Sequence, residues 1–147
     1  MKTKKGGSLI SQIHQVCSRV WNCLLRENGL SDFEGARGRI IFSLWTNDKI
    51  SIKALCEKTS LDKSTMTGII SRLERDGFVK RESDPSDKRS CLICQTKKSD
   101  FFKLKVPDIS KKMNSIFYKG FSEKEIVQFE NQLERILKNC KESKSEM

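Results

Sequence analysis

The 147-residue chain lacks the features that mark membrane and secreted proteins. It has no apolar run that approaches the length of about 18 residues that a membrane-spanning helix needs. Three lysines lie near its start, but no apolar stretch follows them, so the pattern of a secretory signal peptide is missing. These absences predict a cytoplasmic protein with no membrane partner.

Patterns of catalytic and metal-binding residues are equally scarce. The single histidine, His14, falls within a predicted helix with no nearby acid as a partner, and neither a nucleophile elbow nor a phosphate-binding loop occurs. Cys91 and Cys94 form one C-x-x-C pair, but residues three apart on a strand point to opposite faces of the sheet. We therefore expect no enzymatic activity, no bound metal and no cofactor.

Six cysteines without a signal peptide indicate reduced thiols rather than a disulfide framework. A reduced cysteine behaves as a small hydrophobic residue, so burial is the default expectation for all six. Hydrophobic residues make up 36% of the chain and charged residues 33%, which suits a soluble globular protein with a modest core.

The chain has 29 Lys or Arg against 19 Asp or Glu, and its net charge of +10 is unevenly distributed. Residues 61–96 hold seven Lys or Arg against six Asp or Glu, whereas residues 1–30 hold five against one and residues 97–120 hold seven against two. A basic body attracts polyanions such as nucleic acid. Plain solubility is the alternative, and charge alone does not separate the two.

Residues 51–77 have the pattern of two short helices joined by a tight turn. Ser51 is a suitable N-cap for the first helix, and Asp62 caps the second, which Gly77 ends. The second helix has apolar residues at helical spacing, which predict its buried stripe: Met66, Ile69, Ile70 and Leu73. This order is that of a helix-turn-helix, whose second helix reads DNA.

The opposite face of the second helix carries mostly short polar side chains. Such a face lets a helix lie deep in a major groove, where the base pairs are distinguishable. Gly68 costs roughly 1 kcal/mol relative to alanine inside a helix, and close approach of the backbone to DNA would offset that cost. The alternative is an ordinary solvated helix face.

A basic hairpin follows the helix pair. Residues 78–82 and 90–95 predict two strands, and Asp84-Pro85-Ser86-Asp87 between them has the composition of a turn. Lys88 and Arg89 are expected to leave that turn, with Asp87 bracing the Arg89 guanidinium. A cation on a narrow tip suits a minor groove. The alternative is a solvated turn with a surface ion pair of little energetic value.

These residues resemble the winged-helix core of the MarR family of transcription regulators. The resemblance rests on Ser64 to Thr67, on Arg72-Leu73-Glu74-Arg75-Asp76-Gly77-Phe78-Val79-Lys80-Arg81, on Asp84 to Arg89 and on Gln95-Thr96. It departs after Thr96, where this chain has Lys97-Lys98-Ser99-Asp100.

The residues expected to contact DNA lie on the second helix and on the hairpin. They are Lys63, Ser64, Thr65, Thr67, Gly68, Ser71, Arg72, Asp87, Lys88 and Arg89. The recognition helices of a dimer would enter adjacent major grooves, and the wings would reach the flanking minor grooves.

Helices are predicted on both sides of this core. Apolar residues recur at helical spacing over 8–28, and Ser31 with Glu34 predicts a capping box for the next helix. After the hairpin, Pro107 is expected to kink or split a helix. Ser122 and Glu125 predict a second capping box, followed by a near-heptad apolar stripe to the tail.

The expected fold class is therefore mainly α with a small β-wing: a winged helix-turn-helix core flanked by N- and C-terminal dimerisation helices. The terminal helices carry more apolar surface than a small winged helix needs, which suits an intertwined homodimer, and the resemblance implies the same assembly. The alternative is a monomer with a well-covered core. The expected division is a DNA-binding domain at 31–96 and a dimerisation lobe formed by 1–30 and 97–147.

The resemblance also implies an effector. Similar proteins bind small molecules between the two lobes, a zone that would contain His14, Trp21, Arg37, Trp45 and Phe102. Some respond to peroxides through a cysteine in the first helix, where this chain has Cys17 and Cys23. Arg19 and Arg26 near Cys23 would favour its thiolate, so Cys23 is the better candidate.

The expected function is a DNA-binding transcriptional regulator, in the repressor mode common in this family. It would bind double-stranded DNA at an inverted repeat as a homodimer, with affinity changed by a small-molecule ligand or oxidant. The alternative is a cysteine-based redox sensor that acts through a protein partner rather than DNA. The small-residue face and the basic hairpin favour DNA, because a protein-docking helix needs neither.

Overall fold

The protein is described by a computed structural model that covers residues 2–147. These residues form seven α-helices and a three-stranded antiparallel sheet, as the fold class predicted. The chain divides into two compact units, one ending at Ser110 and the other beginning at Lys111. No helix in this described range combines the length and apolarity needed to cross a membrane.

The first helix, α1 (Gly6–Glu27), agrees within two residues with the predicted range. The chain then forms a 3-10 helix at Ser31–Phe33 before α2 (Ala36–Thr46). The predicted Ser31–Glu34 capping box is wrong, because Gly35 occupies the N-cap position of α2 with a φ of 65°. Glu34 instead accepts two hydrogen bonds from the Arg26 guanidinium, at 3.0 and 3.1 Å.

The helix-turn-helix consists of α3 (Ile52–Thr59) and α4 (Lys63–Arg75). Both predicted N-caps are confirmed: Ser51 Oγ accepts from the Ala54 N–H at 3.1 Å, and Asp62 Oδ1 accepts from the Thr65 N–H at 2.8 Å. The apolar stripe predicted for α4 is buried at all four positions, Met66, Ile69, Ile70 and Leu73.

The sheet consists of β1 (Ile50–Ser51), β2 (Val79–Asp84) and β3 (Asp87–Gln95), in the order β1-β3-β2. The short strand, β1 (Ile50–Ser51), was not predicted and pairs with β3 through Ile50 opposite Ile93. The predicted turn is too wide, because β2 (Val79–Asp84) and β3 (Asp87–Gln95) leave only Pro85 and Ser86 between them. Lys88 and Arg89 therefore lie within β3 rather than beyond a four-residue turn.

Proline splits the helical region after the sheet, as expected. α5 (Lys97–Lys103) ends before α6 (Val106–Phe117), and Pro107 is the second residue of α6. This position suits proline, since the first turn of a helix has backbone N–H groups without intrahelical partners. The Ser122–Glu125 capping box is confirmed at the start of α7 (Glu123–Glu146).

The apolar stripes of the terminal helices are largely uncovered in the single chain. On α1 the exposed apolar residues are Leu9, Ile10, Ile13 and Val16, and the second unit exposes Ile116, Phe121, Val127, Ile136 and Leu137. None of the residues of α7 is buried. The division into a dimerisation lobe and a DNA-binding domain at 31–96 concerns an assembly of two chains and stays a prediction.

Replacing Gly38 or Gly68 with alanine should change the free energy of unfolding in opposite directions. A Cβ at Gly38 in α2 would overlap the carbonyl oxygen of Phe33, whereas a Cβ at Gly68 in α4 would meet no atom within 4 Å. We expect Gly38→Ala to lower the free energy of unfolding by about 1–3 kcal/mol. Gly68→Ala should raise it by about 1 kcal/mol, because alanine favours the helix. Urea unfolding measures both, and an equal effect of the two substitutions would contradict the packing described.

Candidate nucleic-acid interface

The hydroxyl groups on the exposed face of α4 form hydrogen bonds with Asp62 and Lys63, at the start of the helix. Ser64 Oγ and Thr65 Oγ1 donate to the Asp62 carboxylate at 2.8 and 3.0 Å. Thr67 Oγ1 donates to the Lys63 carbonyl at 2.8 Å. These hydroxyl oxygens can still accept hydrogen bonds from a ligand. The face is thus short, polar and held in place before any partner arrives.

Asp62 holds the start of this face. Hydrogen bonds from the Thr65 backbone, the Ser64 hydroxyl and the Thr65 hydroxyl lower the pKa of its carboxyl below the usual range. The ionised group also interacts favourably with the positive end of the helix dipole. Asp62 was predicted as a cap, but its role in orienting two candidate DNA contacts was not predicted.

The tip of the hairpin, or wing, is stiffened by its two aspartates. Asp84 Oδ1 accepts from the Ser86 N–H at 2.9 Å and from Ser86 Oγ at 2.7 Å, and these bonds lower the pKa of Asp84. Asp87 Oδ1 accepts from the backbone N–H of Arg89 at 3.0 Å. Asp87 was expected to brace the Arg89 guanidinium, and this expectation is wrong. Asp87 orders the Arg89 backbone instead, and among residues 2–147 no ion pair joins the Asp87 carboxylate to the Arg89 guanidinium.

The cations of residues 61–96 fall into two classes. Arg75, Lys80 and Arg81 form ion pairs with Asp76, Glu82 and Glu74 at 3.4, 3.3 and 3.4 Å. Within the described chain, no carboxylate pairs with the other four, which are Lys63, Arg72, Lys88 and Arg89. All four are exposed, and all four were predicted to contact DNA. These four cations are therefore the ones of this segment that a ligand can reach without breaking an ion pair.

The other end of α4 is bonded to its neighbours by contacts that the sequence analysis did not predict. Arg37 Nη2 pairs with Asp76 Oδ2 at 3.0 Å and lowers the pKa of that carboxyl, with a smaller contribution from Arg75. Lys98 Nζ donates to the Asp76 carbonyl at 2.7 Å, and Thr96 Oγ1 donates to the Gly77 carbonyl at 2.6 Å. These bonds join α2, the end of α4 and the start of α5.

A family comparison covers this part of the chain. Residues 36–91, from α2 into β3, match the model of the MarR family. Over these residues the chain is similar to members of the MarR family. Seven helices and a three-stranded sheet agree with the winged-helix structures of that family.

Individual relatives extend the comparison. A curated relative, the organic hydroperoxide resistance transcriptional regulator of Bacillus subtilis, is 33% identical over 66 residues, 45% of each chain. The matches span about half the length of the curated relatives. Among solved structures, the transcriptional regulator SlyA has a TM-score of 0.79 at 26% identity and covers 95% of this chain and 96% of its own. A MarR variant from E. coli, in complex with operator DNA, has a TM-score of 0.79 at 23% identity and covers 89% and 92%.

The predicted effector residues are brought together in part. Phe33, which sequence reasoning missed, is 1% exposed and packs its ring against Phe42, Trp45, Phe78 and Phe102 at centroid distances of 5.2–6.4 Å. Trp21 joins this cluster through Phe42 at 5.9 Å. The cluster thus contains three of the five residues predicted to contact an effector.

The two remaining pocket candidates differ from the aromatic three. Arg37 lies at the edge of the cluster, 5.8 Å from the centroid of Phe78, with its guanidinium bonded to Asp76 and the Asp32 carbonyl. His14 is exposed on α1. The pocket itself stays a prediction.

The cysteines correct the default expectation of burial. Cys94 is buried, Cys17, Cys56 and Cys91 are half-buried, and Cys23 and Cys140 are exposed on their helices. The Cys23 thiol donates to Glu27 at 3.6 Å, and Arg26 is engaged by Glu34. Cys23 therefore has a carboxylate neighbour, Glu27, in addition to the two arginines considered from the sequence. The redox roles of Cys23 and Cys17 stay predictions.

The Asp62 cap should make the stability of this protein depend on pH. Asp62→Ala removes the acceptor for the Thr65 N–H and should lower the thermal unfolding temperature at neutral pH, whereas Asp62→Asn retains an acceptor and should cost less. Because the folded pKa is depressed, this stabilisation is complete above the unfolded pKa and is lost as pH falls through the folded pKa. The gap between parent and Asp62→Ala should therefore narrow in acid. Circular dichroism melts at neutral and acid pH measure it, and a gap that widens in acid would contradict the assignment.

Proposed function

We propose that this protein is a DNA-binding transcriptional regulator that binds an inverted-repeat operator as a homodimer. The observation that carries the proposal is the charge pattern of the winged helix. Lys63 and Arg72 lie on α4 and Lys88 and Arg89 on the wing, and none of the four has a carboxylate partner within the described residues. Unpaired cations can neutralise phosphates without first breaking an ion pair, which favours affinity for DNA.

On this proposal, α4 lies in the major groove. Thr67, Ser71 and Arg72 are exposed along its face, and Gly68 presents no side chain that would keep the backbone away from the bases. Arg72 can bind guanine through two hydrogen bonds or hold a phosphate. The Arg81 guanidinium lies 3.5 Å from Ser71 Oγ and braces this part of the helix from the wing side.

The wing would then place Arg89 in the flanking minor groove. Its backbone is ordered by Asp87, and its side chain is exposed. Narrow minor grooves concentrate negative potential and attract arginine. The operator complex of the MarR variant from E. coli supports binding of DNA by this fold.

Dimerisation would cover the apolar residues of the terminal helices. Val16 on α1 is 55% exposed and Leu137 on α7 is 53% exposed, which is unfavourable for a monomer in water. A two-fold dimer presents two recognition helices to two half-sites and so requires a symmetric operator. Repression in the cytoplasm is the mode we propose.

The aromatic cluster would be the base of an effector pocket. Trp45 Nε1 is buried and has no hydrogen-bond partner within residues 2–147, so a donor is available to a ligand. His14, Trp21, Arg37 and Phe102 are the other proposed contacts. Oxidation at Cys23 or Cys17 is the second proposed input, and the hydroperoxide-linked name of the Bacillus subtilis relative supports it.

Arg89→Ala tests the proposed DNA contact of the wing. We expect it to weaken operator binding by about 1–3 kcal/mol while the fold and the dimer persist, because one groove contact is lost. Operator fragments selected from the flanks of the protein's own gene serve as ligand, and fluorescence anisotropy gives the Kd at several salt concentrations.

Lys80→Ala is the matched control, since Lys80 lies in the same hairpin but is paired with Glu82. It should weaken binding less than Arg89→Ala does. Equal losses in the two variants, or unchanged affinity in Arg89→Ala, would contradict the role assigned to unpaired cations.

The homodimer is tested by light scattering on the full-length protein. We expect twice the chain mass at micromolar concentration, and Ile136→Glu should shift the mass toward the monomer because it puts a charge into the apolar stripe of α7. Gln132→Glu, on an exposed position of the same helix, should leave the dimer intact. A monomer mass for the parent protein would remove the dimer from the proposal.

A further inference from the structure

We propose that the cleft between α3, the start of α4 and β3 is a covalent modification site, where Cys56 and Cys91 add to small conjugated carbonyl compounds that carry a carboxylate. The consequence for DNA binding rests on the function proposed above, whereas the modification itself does not. Neither cysteine belongs to the predicted effector pocket or to the predicted redox pair on α1.

The cleft has the size of a site for a small molecule. Its volume is about 640 Å³, within the range of roughly 300–1,000 Å³ typical of ligand pockets. Ile52 and Leu61 contribute apolar walls, and Ser51 and Ser90 add hydroxyl groups. An apolar wall favours an organic ligand over a bare ion, and no group of three metal-ligating side chains occurs in the part of the chain that is described.

Two nucleophilic atoms line this one space. Cys56 comes from the middle of α3 and Cys91 from β3, and both side chains are half-buried in its wall. Cys94 contrasts with them, since burial, with Glu82 nearby, raises the pKa of its thiol, and it lies outside the cleft. Two thiols within a ligand-sized cleft favour an electrophilic ligand over an inert one.

The charges of the cleft define the ligand further. Lys53, Lys63 and Arg89 line it, and its one carboxylate, Asp62, is occupied by three hydrogen bonds at the start of α4. Three cations against one engaged carboxylate favour a ligand with negative charge. A carboxylate placed near Lys53 would leave the conjugated double bond within the cleft that the thiols share.

The chemistry is a conjugate addition. The cysteine sulfur forms a bond to the β-carbon of the double bond, the S–H bond is broken, and the proton ends on the α-carbon. The π bond is consumed, no group leaves, and nothing is oxidised or reduced. A bound adduct then occupies the cleft beside Lys63 and Arg89, and its carboxylate competes with DNA phosphates for both cations.

Two maleimides that differ in charge test the site. N-ethylmaleimide is neutral, and 3-maleimidopropanoic acid is an anion of similar size. Site-resolved mass spectrometry of the full chain gives the rate at each cysteine, with exposed Cys140 as the internal reference. We expect the anion to increase the rate at Cys56 or Cys91 relative to Cys140, and Lys53→Gln to reduce that preference. The same ratio for both reagents, or no adduct at either cleft cysteine, would overturn the proposal.

The effect on DNA is measured separately. Treatment with the anionic reagent should weaken operator binding by about tenfold or more, the loss of one groove contact. The Cys56→Ala/Cys91→Ala double variant, checked for folding by a thermal melt, should bind like the parent before treatment and should resist the reagent. Equal sensitivity of the double variant and the parent would overturn the proposed site. Absence of operator binding by untreated parent would instead overturn the proposed function, while the adduct rates still decide the modification.

Discussion

The winged helix depends on the burial of Phe33. This residue lies between α1 and α2, in a 3-10 helix, and its ring contacts aromatic side chains from α2, from the residue before β2 and from α5. Edge-to-face packing of this kind contributes about 0.5–1.5 kcal/mol per pair beyond the burial of area. Gly38 is required beside it because the Phe33 carbonyl occupies the space of a side chain. The position of α2, and through Arg37 the end of α4, follows from this arrangement.

Charge pairing selects which cations remain available. The carboxylates of Glu74, Asp76 and Glu82 engage arginines and lysines around α4 and β2. The other three acidic residues of this segment, Asp62, Asp84 and Asp87, accept hydrogen bonds at a helix start and at the wing tip. A segment with almost no net charge thereby keeps four exposed cations without a carboxylate partner in the described residues, while Asp62, Asp84 and Asp87 retain their negative charge.

Local features were predictable from sequence, and features that join distant segments were not. The caps at Ser51, Asp62 and Ser122 and the buried stripe of α4 depend on neighbours within four residues, so spacing reveals them. The two-residue β1 has too little pattern to recognise, and it forms only because β3 lies beside it. The burial of Phe33 and the Arg37–Asp76 ion pair depend on residues that are far apart in the sequence. Glu34 binds Arg26 instead of forming the predicted cap. The sequence suggests the candidate DNA contacts, which stay a prediction, but which of their cations lack an ion pair depends on the positions of acidic residues in the folded chain.

The pairing of β1 with β3 would affect the spacing of the DNA contacts in the proposed regulator. Its pairing with β3 attaches the wing directly to the residue that caps α3, so the wing and the helix-turn-helix are parts of one hydrogen-bonded frame. The wing and the recognition helix would then be held at a fixed distance from each other. The distance between the base pairs read in one groove and those touched in the next would be set by the protein, and DNA would have to bend or twist to meet it.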